Sequence, residues 1–131
     1  MAIHRNPATV HQPVASYDHQ IEVGGPARWL VLSGQIGMCP DGTVPEDPVE
    51  QLNVALNNLR LNLEEAGLGI RNLVKLTFIL VGQIDPALRR TTVDSWLDGH
   101  KPCTTLFYAV GLASPALRVE IDAWAAASAT G

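Results

Sequence analysis

A chain of 131 residues, 47% hydrophobic and 17% charged, is long enough for one domain with a real core and too apolar to be disordered. Its net charge of −4 argues against a nucleic-acid backbone as the main partner. No apolar run reaches membrane-spanning length, residues 1–7 lack a signal peptide's apolar core, and Cys39 and Cys103 have neither metal-ligand spacing nor a partner pattern. The expectation is a cytoplasmic protein with free thiols and no membrane contact. So much apolar content against so few charges also points to a surface covered by a partner.

Residues 1–18 carry Pro7 and Pro13 with little periodicity and read as an extended arm. A first strand is expected over 19–23, then a turn at Gly24-Gly25-Pro26. A second strand over 28–33 is nearly continuous in apolar character from Trp29 to Leu32, which suggests cover on both faces. Gly34 follows, where the backbone can be approached closely. The first helix is well signalled. Asp47 suits the N-cap, Pro48 the first helical position, and Glu50 an Asp-x-x-Glu capping box. Val49, Leu52, Leu56, Leu59, Leu63 and Ala66 form its apolar stripe, and Gly67 its stop.

The apolar, proline-free stretch 73–81 predicts a central strand. Asp85-Pro86 opens a second helix, to about residue 98, presenting Leu88, Val93, Trp96 and Leu97, with Gly99 ending it. Residues 104–110 form a strand rich in β-branched and aromatic side chains. Residues 118–125 alternate strictly: Val119, Ile121, Ala123 and Ala125 point one way, Arg118, Glu120, Asp122 and Trp124 the other. The order ββαβαββ predicts an α+β domain over 1–131, with two helices on one face of a single mixed sheet. The other face, bearing Glu120 and Trp124, is then an association surface.

Several fragments together resemble the RidA/YjgF family, also called endoribonuclease L-PSP-like. They are Tyr17, Ser33-Gly34-Gln35-Ile36, Glu65-Ala66-Gly67, Leu73-Val74-Lys75 and Val119-Glu120-Ile121-Asp122-Ala123, in family order across residues 6–125. The resemblance implies a chorismate-mutase-like fold and a homotrimer whose sheets make a central barrel, with ligand clefts between subunits. It implies hydrolysis of reactive enamines or imines to ketones and ammonia, without metal or cofactor. Some members were described as ribonucleases. Active members carry an arginine early in the penultimate strand that grips the substrate carboxylate; the aligned residue here is Thr104, which lacks those planar donors.

The resemblance makes Glu120 and Tyr17 the catalytic candidates. Glu120 would position water and shuttle protons; the structural alternative is an inter-subunit salt bridge to Arg118 or Lys75. Tyr17 would donate a hydrogen bond to substrate or leaving nitrogen, or else simply pack the arm. Ser33 and Gly34 would offer backbone to a ligand, the alternative for Gly34 being a bulge glycine. Thr104 and Thr105 would bond a neutral polar substrate, or only favour the strand. Trp96 and Phe107 would wall the cleft, or belong to the core. Cys103 has no nearby activating histidine. His4, His11, His19 and His100 share no ligand spacing, so no metal is expected. The function expected is imine or enamine deamination with altered substrate preference. The alternative is a non-catalytic trimeric protein that binds a small metabolite or a partner.

Overall fold

The computed structural model describes residues 1–129. Its elements are β1 (Ala2–Arg5), β2 (Gln20–Val23), β3 (Ala27–Ile36), α1 (Pro48–Glu65), a 3-10 turn (Ile70–Asn72), β4 (Leu73–Val81), α2 (Pro86–Leu97), β5 (Cys103–Ala109) and β6 (Val119–Ser128). The main sheet has the order β3-β6-β4-β5. β6 runs antiparallel to both β3 and β4, while β4 and β5 are parallel, so the sheet is mixed.

The core is built where the sequence alternates. Val119, Ile121, Ala123 and Ala125 of β6 are fully buried, against Leu76, Phe78 and Leu80 of β4 and Leu52, Leu56, Leu59 and Leu63 of α1. Each buried leucine contributes about 1.5–3 kcal/mol, so the apolar stripe outweighs helix propensity. The Asp47 carboxylate caps α1 by accepting from the Glu50 amide at 3.0 Å. Gly67, at φ 74°, supplies the left-handed residue that ends it. Gln51 breaks the apolar pattern yet is 1% exposed. Its amide donates to the carbonyls of Pro45 (2.8 Å) and Ala116 (2.9 Å), and its oxygen accepts from the Arg118 amide (2.8 Å). One side chain thus ties α1 to the loop that enters β6.

Three expectations are corrected, and the arm holds a strand that the sequence did not mark: β1 pairs antiparallel with β2, from Ala2 opposite Val23 to Arg5 opposite Gln20. Every residue of β1 is exposed, so no apolar alternation marks it in the sequence. This ribbon is a sheet of its own, so the expected first strand does not join a single sheet. The run Trp29 to Leu32 is covered on one face only: Leu30 and Leu32 pack on the core while Trp29 and Val31 are exposed. Leu88 is 54% exposed, because α2 enters the core mainly through its C-terminal end, at Leu97.

β3 carries a bulge. Leu32 pairs with Ala123 and Gln35 with Ile121, so Ser33 and Gly34 together stand opposite Asp122. Among the described residues no helix is long and apolar enough to cross a membrane.

Candidate functional site

The two faces of the sheet divide the candidate residues into two groups. On the helix side a cavity of about 320 Å³ opens between the arm, α2 and β5. Tyr17 and Thr104 line it together, with Phe78, Val93 and Leu106 as apolar wall and Arg89, Arg90 and Asp94 from α2. The Tyr17 hydroxyl accepts from the Val14 amide at 3.3 Å, and the ring meets His19 edge-on at 5.6 Å. The arm's own backbone and a histidine therefore hold the tyrosine. Thr104 points into this cavity because strand alternation puts Thr104 and Leu106 on the helix side.

On the open face the register lines side chains into rows across three strands. Ile79 of β4 pairs with Glu120 and with Phe107, and Thr77 pairs with Asp122 and with Thr105. Lys75 pairs with Trp124 and with Cys103, and its ammonium donates to the Thr105 hydroxyl at 2.7 Å. Glu120 is half-buried. A Cβ on Gly34 would collide with its carboxylate, so the bulge glycine is what makes room for that group. Among the described residues the Glu120 carboxylate has no ion pair and no hydrogen bond. Arg118 donates instead to the carbonyls of Val81 (2.7 Å) and Gln83 (3.0 Å).

Thus Gly34, Glu120, Thr105 and Phe107 share one face, with Ser33 in the adjoining bulge, and Tyr17 and Thr104 share the other. Within one chain they do not form a single pocket. Thr104 and Thr105, named together in the sequence reading, are separated by the sheet. Trp96 belongs to neither group: it lines a groove with Asn53 of α1 and Thr91, Thr92 and Ser95 of α2. Its indole nitrogen is buried and has no hydrogen-bond partner among the described residues.

Sequence reasoning missed Arg89 and Arg90. The available signal was two adjacent cations on α2 set away from its last turn, where the helix dipole would favour them. It also missed the pairing of the four histidines. The His4 and His100 rings lie 5.8 Å apart, and those of His11 and His19 4.9 Å apart. Among the described residues no group of three or more His, Cys, Asp or Glu side chains is placed to hold a metal ion. Cys103 is partly buried, and burial pushes its thiol up, away from the reactive thiolate.

Comparison with known proteins places this geometry. The model of the endoribonuclease L-PSP family matches residues 8–127. A Mus musculus protein named 2-iminobutanoate/2-iminopropanoate deaminase is 30% identical over 112 residues, covering 84% of this chain and 80% of its own. Among solved structures, the Rid-family protein YyfB of Yersinia pestis superposes with a TM-score of 0.83 at 26% identity, covering 95% of this chain and 97% of its own. The E. coli protein TdcF, solved with bound serine, gives a TM-score of 0.71 at 25% identity, over 88% of this chain and 91% of its own.

Proposed function

The chain belongs to the RidA/YjgF (endoribonuclease L-PSP) family and has its chorismate-mutase-like fold, and from that premise we propose that it hydrolyses a reactive imine or enamine in a cleft completed by another copy of itself. The observation that carries the proposal is the division of the site. Tyr17 and Thr104 lie in a cavity on one face of the sheet, and Glu120 lies on the other with no ion pair among the described residues. A carboxylate on a sheet face is costly to cover without a ligand or water to bond it. Seating the open face of one subunit beside the cavity of the next, in a homotrimer, would bring the two groups to one substrate.

The chemistry requires only proton transfer. Water attacks the carbon of the protonated imine, C=NH2+, while the Glu120 carboxylate takes one proton from the water, giving a neutral carbinolamine. Glu120 passes that proton to the amine nitrogen, the C–N bond breaks to release ammonia, and the carboxylate takes the remaining hydroxyl proton as the ketone C=O forms. Tyr17 hydrogen-bonds the nitrogen through this sequence. The name of the mouse relative supports the imine class, and serine bound to TdcF supports a small polar ligand. Thr104 supplies a hydroxyl in place of a guanidinium, so an imine whose carboxylate must be gripped at that point, such as 2-aminoacrylate, is a poor substrate. The same threonine favours the second reading, a trimeric metabolite-binding protein without turnover.

Ammonia release from a panel of imines, measured beside light scattering, decides between them. Glu120→Gln keeps shape and hydrogen bonding but cannot accept a proton, so turnover falls at least about a hundredfold while the trimer stays intact. Unchanged turnover with a weakened trimer would make Glu120 a subunit contact only. No ammonia from any imine would leave the binding reading.

A further inference from the structure

The cavity carries a charge pattern that neither Thr104 nor Tyr17 explains. Arg89 and Arg90, consecutive residues of α2, both reach its wall, and Asp94 is the only acidic residue among the described ones lining it. Among the described residues neither arginine forms a salt bridge, although Arg5 pairs with Glu22 and Arg60 with Glu64 elsewhere. Arg90 and Asp94 stand four apart on the helix and still do not pair. Arg89 is half-buried, and its Nη1 donates to the Tyr108 hydroxyl at 3.2 Å. That bond steadies a planar fork with five donors, most of which stay available. The helix dipole does not account for the pair: they lie away from the last turn of α2, where cations would help and which has no basic residue.

We propose that Arg89 and Arg90 form the anion-recognising wall of this cavity and hold a carboxylate at the far end of a small-molecule ligand. Apolar Phe78, Val93 and Leu106 would pack its carbon chain. The anchor differs in place from the one that Thr104 lacks. Tyr108, which steadies Arg89, lies four residues along β5 from Thr104, and the arginines stand on α2 rather than on the strand. A ligand gripped by them carries its anion away from the reacting carbon, as a dicarboxylate does. The anion site stands on the cavity itself; its use in turnover rests on the deaminase reading above.

Calorimetric titration of the full-length protein at low salt tests the site, with glutarate, its neutral diamide and inorganic phosphate as probes. Glutarate binds saturably and the diamide at least about tenfold more weakly. The Arg89→Ala/Arg90→Ala double variant weakens glutarate about tenfold or more, and Arg60→Ala, remote from the cavity, does not. Arg90→Gln removes a charge that has no salt-bridge partner among the described residues, so it keeps the fold and still weakens binding. Equal affinity for glutarate and diamide, phosphate preferred over glutarate, or affinity unchanged in both cavity variants would overturn the proposal. Arginine-dependent glutarate binding without ammonia release from any imine upholds the site and removes the deaminase reading. Turnover of imines with no preference for a distal carboxylate does the reverse.

Discussion

Gly34 and Gly37 are three residues apart, and the difference between them separates a functional glycine from a structural one. A Cβ at Gly34 would meet the Glu120 side chain, whose end can swing away. A Cβ at Gly37 would meet the Cα and carbonyl oxygen of Gln51 at 2.7 Å, which is helix backbone and cannot. Gly37→Ala is therefore expected to cost about 1–3 kcal/mol in urea unfolding, the range for overpacking. Gly34→Ala should change stability by less than about 1 kcal/mol yet reduce ammonia release as Glu120→Gln does, because it displaces that carboxylate. Equal turnover in Gly34→Ala and the unmodified protein would detach Glu120 from the chemistry. The sequence marks Gly34 as a place of close approach through its position at a strand end. It does not mark Gly37 or Gln51, because a buried glutamine that serves three backbone groups has no apolar periodicity to reveal it.

At the scale of elements, the arm is where sequence reading stops. Strand alternation and helix stripes report burial, and β1 is exposed along its length. Polar contacts hold it instead. Asp18 accepts from His4 and from Asn6, both at 2.7 Å, and Asn6 accepts from the His19 amide at 2.7 Å. The arm matters to the site because it carries Tyr17 and a wall of the cavity. Behind it His100, 7% exposed, donates from Nε2 to the Leu73 carbonyl at 2.8 Å. Burial lowers the pKa of this histidine, and the nearby charges of His4 and Arg71 add to that, against the Leu73 bond and Asp18, which raise it. A lowered folded-state value means the unfolded chain takes up the proton first. Stability is then full above the unfolded value near 6.5 and declines as pH falls below it, toward the folded value. Asp18 acts in a separate window. Burial alone would raise it, but the Asn6 and His4 bonds prevail and hold it below 3.8, so its contribution is lost only in stronger acid. Urea midpoints between pH 7 and pH 5 should fall for the unmodified protein and flatten in His100→Gln, whose amide can keep the Leu73 bond. Parallel slopes in the two proteins would place the titration elsewhere.

The whole molecule leaves one sheet face bare, and here the sequence reading and the structure meet. The strict alternation of β6 already divides a core face from an outer one. What alternation cannot give is register: it does not say that β6 lies between β3 and β4, nor that Glu120, Ile79 and Phe107 share a row. The outer face exposes 51% of Trp29, 57% of Val31, 46% of Phe107 and 47% of Trp124, and the two indoles meet edge-on at 6.1 Å. Aromatic and aliphatic groups gathered on one face, with half of each still open to water, form a surface suited to association. A homotrimer is expected at micromolar concentration by light scattering, and a monomeric mass would refute it. Trp124→Arg tests the link to function. It puts an unpaired cation in the middle of the face and touches none of the cavity residues, so it should give a folded monomer with little change in helix content. If the catalytic groups come from different subunits, that monomer keeps Tyr17 and Glu120 but loses ammonia release, because the two lie on opposite faces of its own sheet. A Trp124→Arg monomer with undiminished turnover would show that one chain holds the whole site.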